Sequence, residues 1–194
     1  MRLFQVLKKI FRWFKRFRYR KGYGVHSPFA FNFITRVIYE KGCYYNYAKF
    51  DKLPASTKES KSICKLLFRL VNYQQPNKLL YLSDFDDITP VFQWAKSDVQ
   101  IFGNVNNSYK LDFVYINKSF GDSISTNQFI KSLLPQLHSN SMFVMFGIGH
   151  TKEHKKLWKE LISLPQAGIS FDLYDIGILF FDLSKNKQDY LVNF

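Results

Sequence analysis

The fold class this 194-residue chain predicts is an open α/β sheet with helices on both faces, and three observations carry that reading. From Lys78 onward, short apolar runs at 79–82, 99–102, 111–116 and 142–146 alternate with helical segments, the pattern of parallel strands buried on both sides. Two later runs, 169–173 and 176–181, are separated only by Tyr174 and Asp175, which predicts an antiparallel hairpin closing one edge. An apolar content of 46% over this length supplies one core and not a second.

The elements follow in order. Residues 1–21 form a basic arm, 22–76 a helical extension packed on the core, and 77–194 the α/β core. In the arm, Leu3, Val6, Leu7, Ile10, Phe11, Phe14 and Phe17 recur at helical spacing, while Lys8, Lys9, Arg12, Lys15, Arg16 and Arg18 fill most of the remainder. Ser27 before Pro28 predicts an N-cap and first helical position, launching a helix over 29–40. Ser56 or Thr57 is the predicted cap of a helix over 58–73, with Ile63, Leu66, Leu67 and Leu70 on one face and Pro76 as the stop. Further helices are predicted at 88–96, 126–137 and 152–163, and a last apolar run lies at 190–192.

Charge separates the arm from the body. Nine basic residues fall in the first 21 positions, no acid precedes Glu40, and the arm carries +9 of the net +13. Its longest charge-free run, 3–7, is too short to span a bilayer, and no small-residue cleavage site follows it. Three destinations fit such an arm: its own domain or a second copy, an anionic membrane surface, or nucleic acid. The last fits least, because rings confined to an apolar stripe make no base-stacking platform. Cys43 and Cys64, the two cysteines, make neither a disulfide scaffold nor a zinc site. The expected location is the cytoplasm, with peripheral contact to the inner face of the membrane as a second possibility.

A resemblance sharpens the fold. The segment YRKGYGVHSPFAFNFITRVIYEK, the middle runs LDFVYI and LLPQLHSNSMFVMF, and the ending SFDLYDIGILFFDLSKNKQDYLVNF are similar to bacterial class I S-adenosylmethionine-dependent methyltransferases. The resemblance implies a Rossmann-like sheet with a terminal antiparallel hairpin and a cofactor, S-adenosylmethionine, at the C-terminal ends of the strands. The departures are specific. Where the family has an acid and then a glycine-rich turn after the first strand, this chain has Tyr81, Ser83 and Asp87. Gly103 and Asn104 follow the second strand in place of an acid, and eight residues between Phe102 and Leu111 leave no space for a full crossover unit. Asn117 stands for a family Asp, Phe120 for a frequent His, and Phe146 and Gly147 for paired acids, with Gly149 and His150 completing that stretch.

What the resemblance implies is therefore a shortened, degenerate relative, noncatalytic and serving a scaffold or binding role. The alternative is an active methyltransferase with an atypical pocket and an unknown acceptor. If the cofactor binds, Ser83, Asp84, Asn104 and Asn117 are its contacts; if not, no cofactor is implied, and no metal ligand set is present on either reading.

Other polar residues have local roles. Asp84, Asp86 and Asp87 at a strand end fit a cation pocket, but a solvated turn and helix cap better. His150 and His154, four apart, read as surface or cap residues without a zincin motif. Asp112 starts a strand, His26 beside Ser27 fixes the junction by a hydrogen bond, and Tyr44 and Tyr45 pack over the crevice.

Overall fold

The computed structural model describes residues 16–53, 59–85, 87–105, 109–118 and 123–194, with side chains from Gln128 in the last segment. Its centre is a seven-stranded sheet in the order β2-β1-β3-β4-β6-β5-β7. The strands are β1 (Lys78–Ser83), β2 (Gln100–Phe102), β3 (Phe113–Asn117), β4 (Met142–Phe146), β5 (Ser170–Asp172), β6 (Ile176–Phe180) and β7 (Asp189–Leu191). β1 to β4 run parallel, β6 is antiparallel to β4 and to β5, and β7 is parallel to β5. The hairpin of β5 and β6 forms as expected, yet it does not close the sheet. That edge belongs to β7, which grows out of the short apolar run at 190–192.

The opposite edge is β2. Among the described residues no strand lies outside it, and the chain goes from β2 directly across β1 to β3. Among the described residues the crossover unit that eight residues could not hold is absent, so the sheet is reduced on this side and extended by β7 on the other. The result is an open, mixed sheet of the class I Rossmann-like type.

Alternation along each strand divides the core into two layers. Leu79, Phe113, Tyr115, Val144 and Ile178 face α1 (Pro28–Phe33), α2 (Lys61–Gln74) and α3 (Thr89–Ala95). Leu80, Val114, Ile116, Phe143 and Leu179 face the opposite layer, with α4 (Ser123–Leu133) and α5 (Lys152–Ser163). On α5, Leu157, Trp158 and Leu161 form the buried stripe. The Trp158 ring lies 2.8 Å from where a β-carbon on Gly177 would sit, so only glycine in β6 admits that approach.

The N-terminal extension belongs to the first layer. Ser27 caps α1 by accepting from the Ala30 amide at 3.3 Å, with Pro28 at the first position, as predicted. The helix continues as a π-helical turn, Ile34–Ile38. Arg69 of α2, 6% exposed, donates to the Val37 and Ile38 carbonyls at 2.7 and 2.9 Å and to the Tyr47 hydroxyl at 3.1 Å. A guanidinium against a helix C-terminus satisfies carbonyls that have no intrahelical partner and suits the dipole.

Two expectations need correction here. The cap of α2 is Ser60, which accepts from the Ile63 amide at 3.4 Å, and the helix begins at Lys61 and not at 58. Ser56 and Thr57 lie outside the described residues. Most of the arm does too, from Met1 to Lys15. Its described end is a single 3-10 turn, Phe17–Tyr19, after which Arg20 is extended, so no helix reaches Lys21. No helix among the described residues is long and apolar enough to cross a membrane.

Candidate functional site

The C-terminal rim of the parallel strands has two halves. One lies at the ends of β1 and β3, where Ser83 and Asn117 are register partners and the Asp84 amide donates to the Asn117 carbonyl at 3.2 Å. Because α2 runs back along the sheet, its N-terminus comes to this same end, and Glu59 precedes its cap. The Ser60 cap matters for this reason: it leaves Glu59 in the entering segment, not in a helical turn facing solvent.

Glu59 is 3% exposed. Its Oε1 accepts from the Tyr115 hydroxyl and from Asn117 Nδ2, the latter at 2.6 Å. Its Oε2 is buried and has no hydrogen-bond partner among the described residues. Tyr115 is fully buried and Asn117 is 3% exposed, so the three groups form a closed polar knot under the first layer. Burial first, and the Glu59 charge second, push the Tyr115 hydroxyl well above its ordinary 10.0. The Tyr81 ring stacks on Tyr115 at 5.9 Å, and its hydroxyl, also raised by burial, accepts from the Ile88 amide at 3.3 Å. Cys64, whose thiol lies 3.9 Å from the Glu59 carbonyl, is pushed up to about 12 by burial and then by Glu59. These two phenols and this thiol are all held in their protonated forms at neutral pH.

The other half lies at the end of β4 and the start of its antiparallel neighbour β6. Gly147 turns the chain after β4 with φ of +73°, and the Nδ1 atoms of His150 and His154 each lie 3.2 Å from where its β-carbon would be. His150 Nε2 is 2.8 Å from Asp175 Oδ1, and His154 Nδ1 is 3.1 Å from the Gly147 carbonyl. Asp175 comes from the hairpin turn, whose backbone grips the same loop: Gly147 N donates to the Asp175 carbonyl and Gly149 N to that of Tyr174. An imidazole oriented by a carboxylate is the arrangement that accepts and returns protons.

The predicted contacts are unevenly placed. Ser83, Asp84 and Asn117 come together at the first half of the rim. The Ser83 hydroxyl accepts from the Phe85 amide at 3.1 Å, and Asp84 lies 4.0 Å from Lys118 Nζ. Asn104 is on the loop after β2, where its carbonyl accepts from the Tyr109 hydroxyl at 3.5 Å. Of the acidic knot, Asp87 accepts from both the amide and the hydroxyl of Thr89, at 2.8 and 2.9 Å, and Asp86 and Phe120 lie outside the described residues. No group of three metal-ligating side chains occurs among the described residues.

The remaining candidates also separate. Asp112 accepts from the Asn77 and Lys78 amides at 2.8 and 2.9 Å and meets His138 at 3.1 Å, tying the starts of β1 and β3. His26 is exposed and, among the described residues, makes no side-chain hydrogen bond; the junction is held by backbone turns and the Ser27 cap instead. Tyr44 packs on Tyr47 and Phe68, whereas Tyr45 is 93% exposed. Glu59 and Asp175 carry no signal in the sequence. Glu59 is hidden by the misplaced cap, and Asp175 reads only as a turn residue.

No family model and no curated protein matches the chain. Solved structures do. The O-methyltransferase TomG from Streptomyces achromogenes, in complex with S-adenosylmethionine, matches at 10% identity over 70% of this chain and 86% of that one, with a TM-score of 0.49. An O-methyltransferase from Bacillus cereus in complex with S-adenosylhomocysteine matches at 10% identity over 72% and 92%, TM-score 0.46. A methyltransferase from Podospora anserina bound to S-adenosylhomocysteine matches at 10% over 72% and 89%, TM-score 0.44. The chain has a divergent class I methyltransferase fold. Its strand order and crossover pattern alone carry that statement, because a likeness below a TM-score of 0.5 adds nothing to it.

Proposed function

We infer that this protein is a noncatalytic relative of the class I methyltransferases, using the fold as a binding scaffold. One observation carries the reading: the Asn117 amide, the deepest of the expected cofactor contacts, is spent on Glu59, a carboxylate brought in from the segment before α2. Ser83 is likewise engaged by its own turn, and the first-strand acid is replaced by Tyr81. Methyl transfer from a sulfonium needs chiefly alignment and exclusion of water, so a missing base alone is no argument against it. A cofactor cradle whose polar groups are satisfied by the chain itself is a stronger one.

Isothermal titration calorimetry of the full chain with S-adenosylmethionine and with S-adenosylhomocysteine tests this. The expected result is no saturable heat and no ligand-induced rise in melting temperature. Micromolar binding of either compound would overturn the reading.

A second reading has an observation of its own. The His150–Asp175 pair on the neighbouring half of the rim supplies an oriented proton acceptor in the stretch where the family carries paired acids. If the cofactor binds, His150 is the base that an acceptor hydroxyl or amine would meet, and its replacement by alanine would lower turnover while leaving cofactor affinity intact.

A further inference from the structure

The described end of the basic arm is pinned to the body. Arg16 Nη2 pairs with Asp172 Oδ1 at 3.0 Å, and its Nη1 donates to the carbonyls of Asp172 and Val192 at 3.0 and 3.5 Å. The same guanidinium lies 5.6 Å from the centre of the Tyr174 ring. Asn193 then donates its amide to the Tyr19 carbonyl at 3.1 Å. These contacts place the end of the arm beside β7, the edge strand, in one defined position.

Large apolar groups collect around that point and stay in water. Tyr19 is 40% exposed, Tyr23 80%, Phe31 45% and Leu191 43%. Tyr19, Tyr23 and Leu191 line one groove of about 490 Å³ together with Arg18. Phe31 extends the same surface, because its ring lies 3.0 Å from where a β-carbon on Gly22 in the groove wall would be. Arg18 lines the groove and is exposed, and Lys21, also exposed, directly precedes Gly22 of its wall in the chain. Asp189, in the same groove, accepts from the Ser170 hydroxyl at 2.6 Å and keeps its negative charge, which the two cations Arg18 and Lys21 outweigh. An apolar patch of this kind rimmed by cations marks an interaction surface.

The charge selects the occupant. A second copy docking on the β7 edge would bring its own arm, with nine more basic residues, against this one. Nucleic acid would satisfy the charge but leave Leu191 and Phe31 without a matching apolar surface. An anionic bilayer offers both, headgroups for Arg18 and Lys21 and an interfacial zone where tyrosine rings rest with their hydroxyls in water. The arm sequence continues that composition, with Leu3, Val6, Leu7, Ile10, Phe11 and Phe14 interleaved among lysines and arginines.

We propose that the face formed by Arg18, Tyr19, Lys21, Tyr23, Phe31 and Leu191 docks on an anionic phospholipid surface. The proposal stands independently of whether the crevice binds a cofactor. Its test is cosedimentation of the full chain with vesicles of phosphatidylcholine alone and of phosphatidylcholine with phosphatidylserine, at low and high salt. Binding to the anionic vesicles that weakens with salt is expected. Replacing both Arg18 and Lys21 by serine weakens it roughly 25-fold, from about fivefold per basic charge. The pair Tyr23→Ser and Phe31→Ser weakens it about tenfold or more through lost apolar burial. Both pairs are exposed, and an unchanged melting temperature verifies that the variants fold. Absence of binding, equal binding to neutral vesicles, or full binding by both double variants would overturn the proposal. So would a lipid-independent dimer, in sedimentation velocity, that the Tyr23→Ser and Phe31→Ser pair abolishes, since that would give the face to a second copy.

Discussion

The two halves of the rim use similar chemistry in opposite ways. At β1 and β3 a carboxylate, a phenol and an amide are closed under the helical layer, with Glu59, Tyr115 and Asn117 exposed by 3%, 0% and 3%. At β4 and β6 a carboxylate and an imidazole pair in the open, with side chains 48% and 38% exposed. Inside, burial and the Glu59 charge push the phenol well above its ordinary value; outside, the carboxylate and the imidazole meet in solvent. The comparison separates polar groups that the fold closes into its interior from polar groups that it leaves at the surface.

The largest effect that can break the comparison is the loss of Glu59. Glu59→Ala leaves the Tyr115 hydroxyl and the Asn117 amide buried without an acceptor, and each such group costs about 1–3 kcal/mol. Urea unfolding should therefore show a loss of about 2–6 kcal/mol, with Glu59→Gln losing about 1 kcal/mol because one acceptor oxygen is kept. A neutral or stabilising Glu59→Ala would reverse the interpretation. It would mean that the carboxylate, with its unpartnered Oε2, is maintained against stability for a ligand.

Cys64 sharpens the same point, because it lies directly beneath Glu59 and serves as a reporter of closure. In the native protein a thiol reagent at pH 8 should label exposed Cys43 and spare buried Cys64; both should react in denaturant. Glu59→Ala should raise the Cys64 rate. The thiol also gives a pH dependence. Its folded value of about 12 stands above the ordinary 9.0, so between those limits the unfolded chain releases a proton that the folded chain retains. Its contribution is full below pH 9.0 and is lost as pH rises towards about 12. Denaturant titrations across that window, comparing the wild type with Cys64→Ala, should show a steeper fall for the wild type.

Much of this architecture was legible in the chain, and the failures have physical causes. The strand β4 falls where its short continuous apolar run puts it, and the helix α5 where its periodic apolar stripe does. The hairpin turn was readable from two residues between apolar runs. Its partner β7 was not, because a three-residue edge strand borrows its order from β5 and has too little pattern to declare itself. Ser56 and Thr57 look like caps locally, but the cap is Ser60, because the start of α2 is set by its packing on the sheet and not by the first capping residue in the chain. That one choice concealed Glu59. Of the residues named from the resemblance, Ser83, Asp84 and Asn117 lie at one strand end, but only the Asn117 amide turns inward, to Glu59, which spacing alone does not reveal. Arg69 carried no signal either, because the carbonyls it serves come from a helix end about 30 positions earlier in the chain.

The smallest expected effect lies on the open half and completes the contrast. His150 and Asp175 meet at 2.8 Å, a good hydrogen bond, but both side chains are well exposed and their attraction is screened by water. His150→Ala and Asp175→Asn should each shift unfolding free energy by less than about 1 kcal/mol, well below the Glu59→Ala loss. A double-mutant cycle separates their mutual term from independent packing losses, since His150 also meets the Phe146 ring edge-on at 5.5 Å. A coupling at the level of the Glu59 knot would mean that the dyad is a structural clamp on the Gly147 turn. A coupling near zero leaves the pair free of structural duty, and an oriented imidazole that the fold does not need for stability is then the place on this rim to look for contact with a ligand.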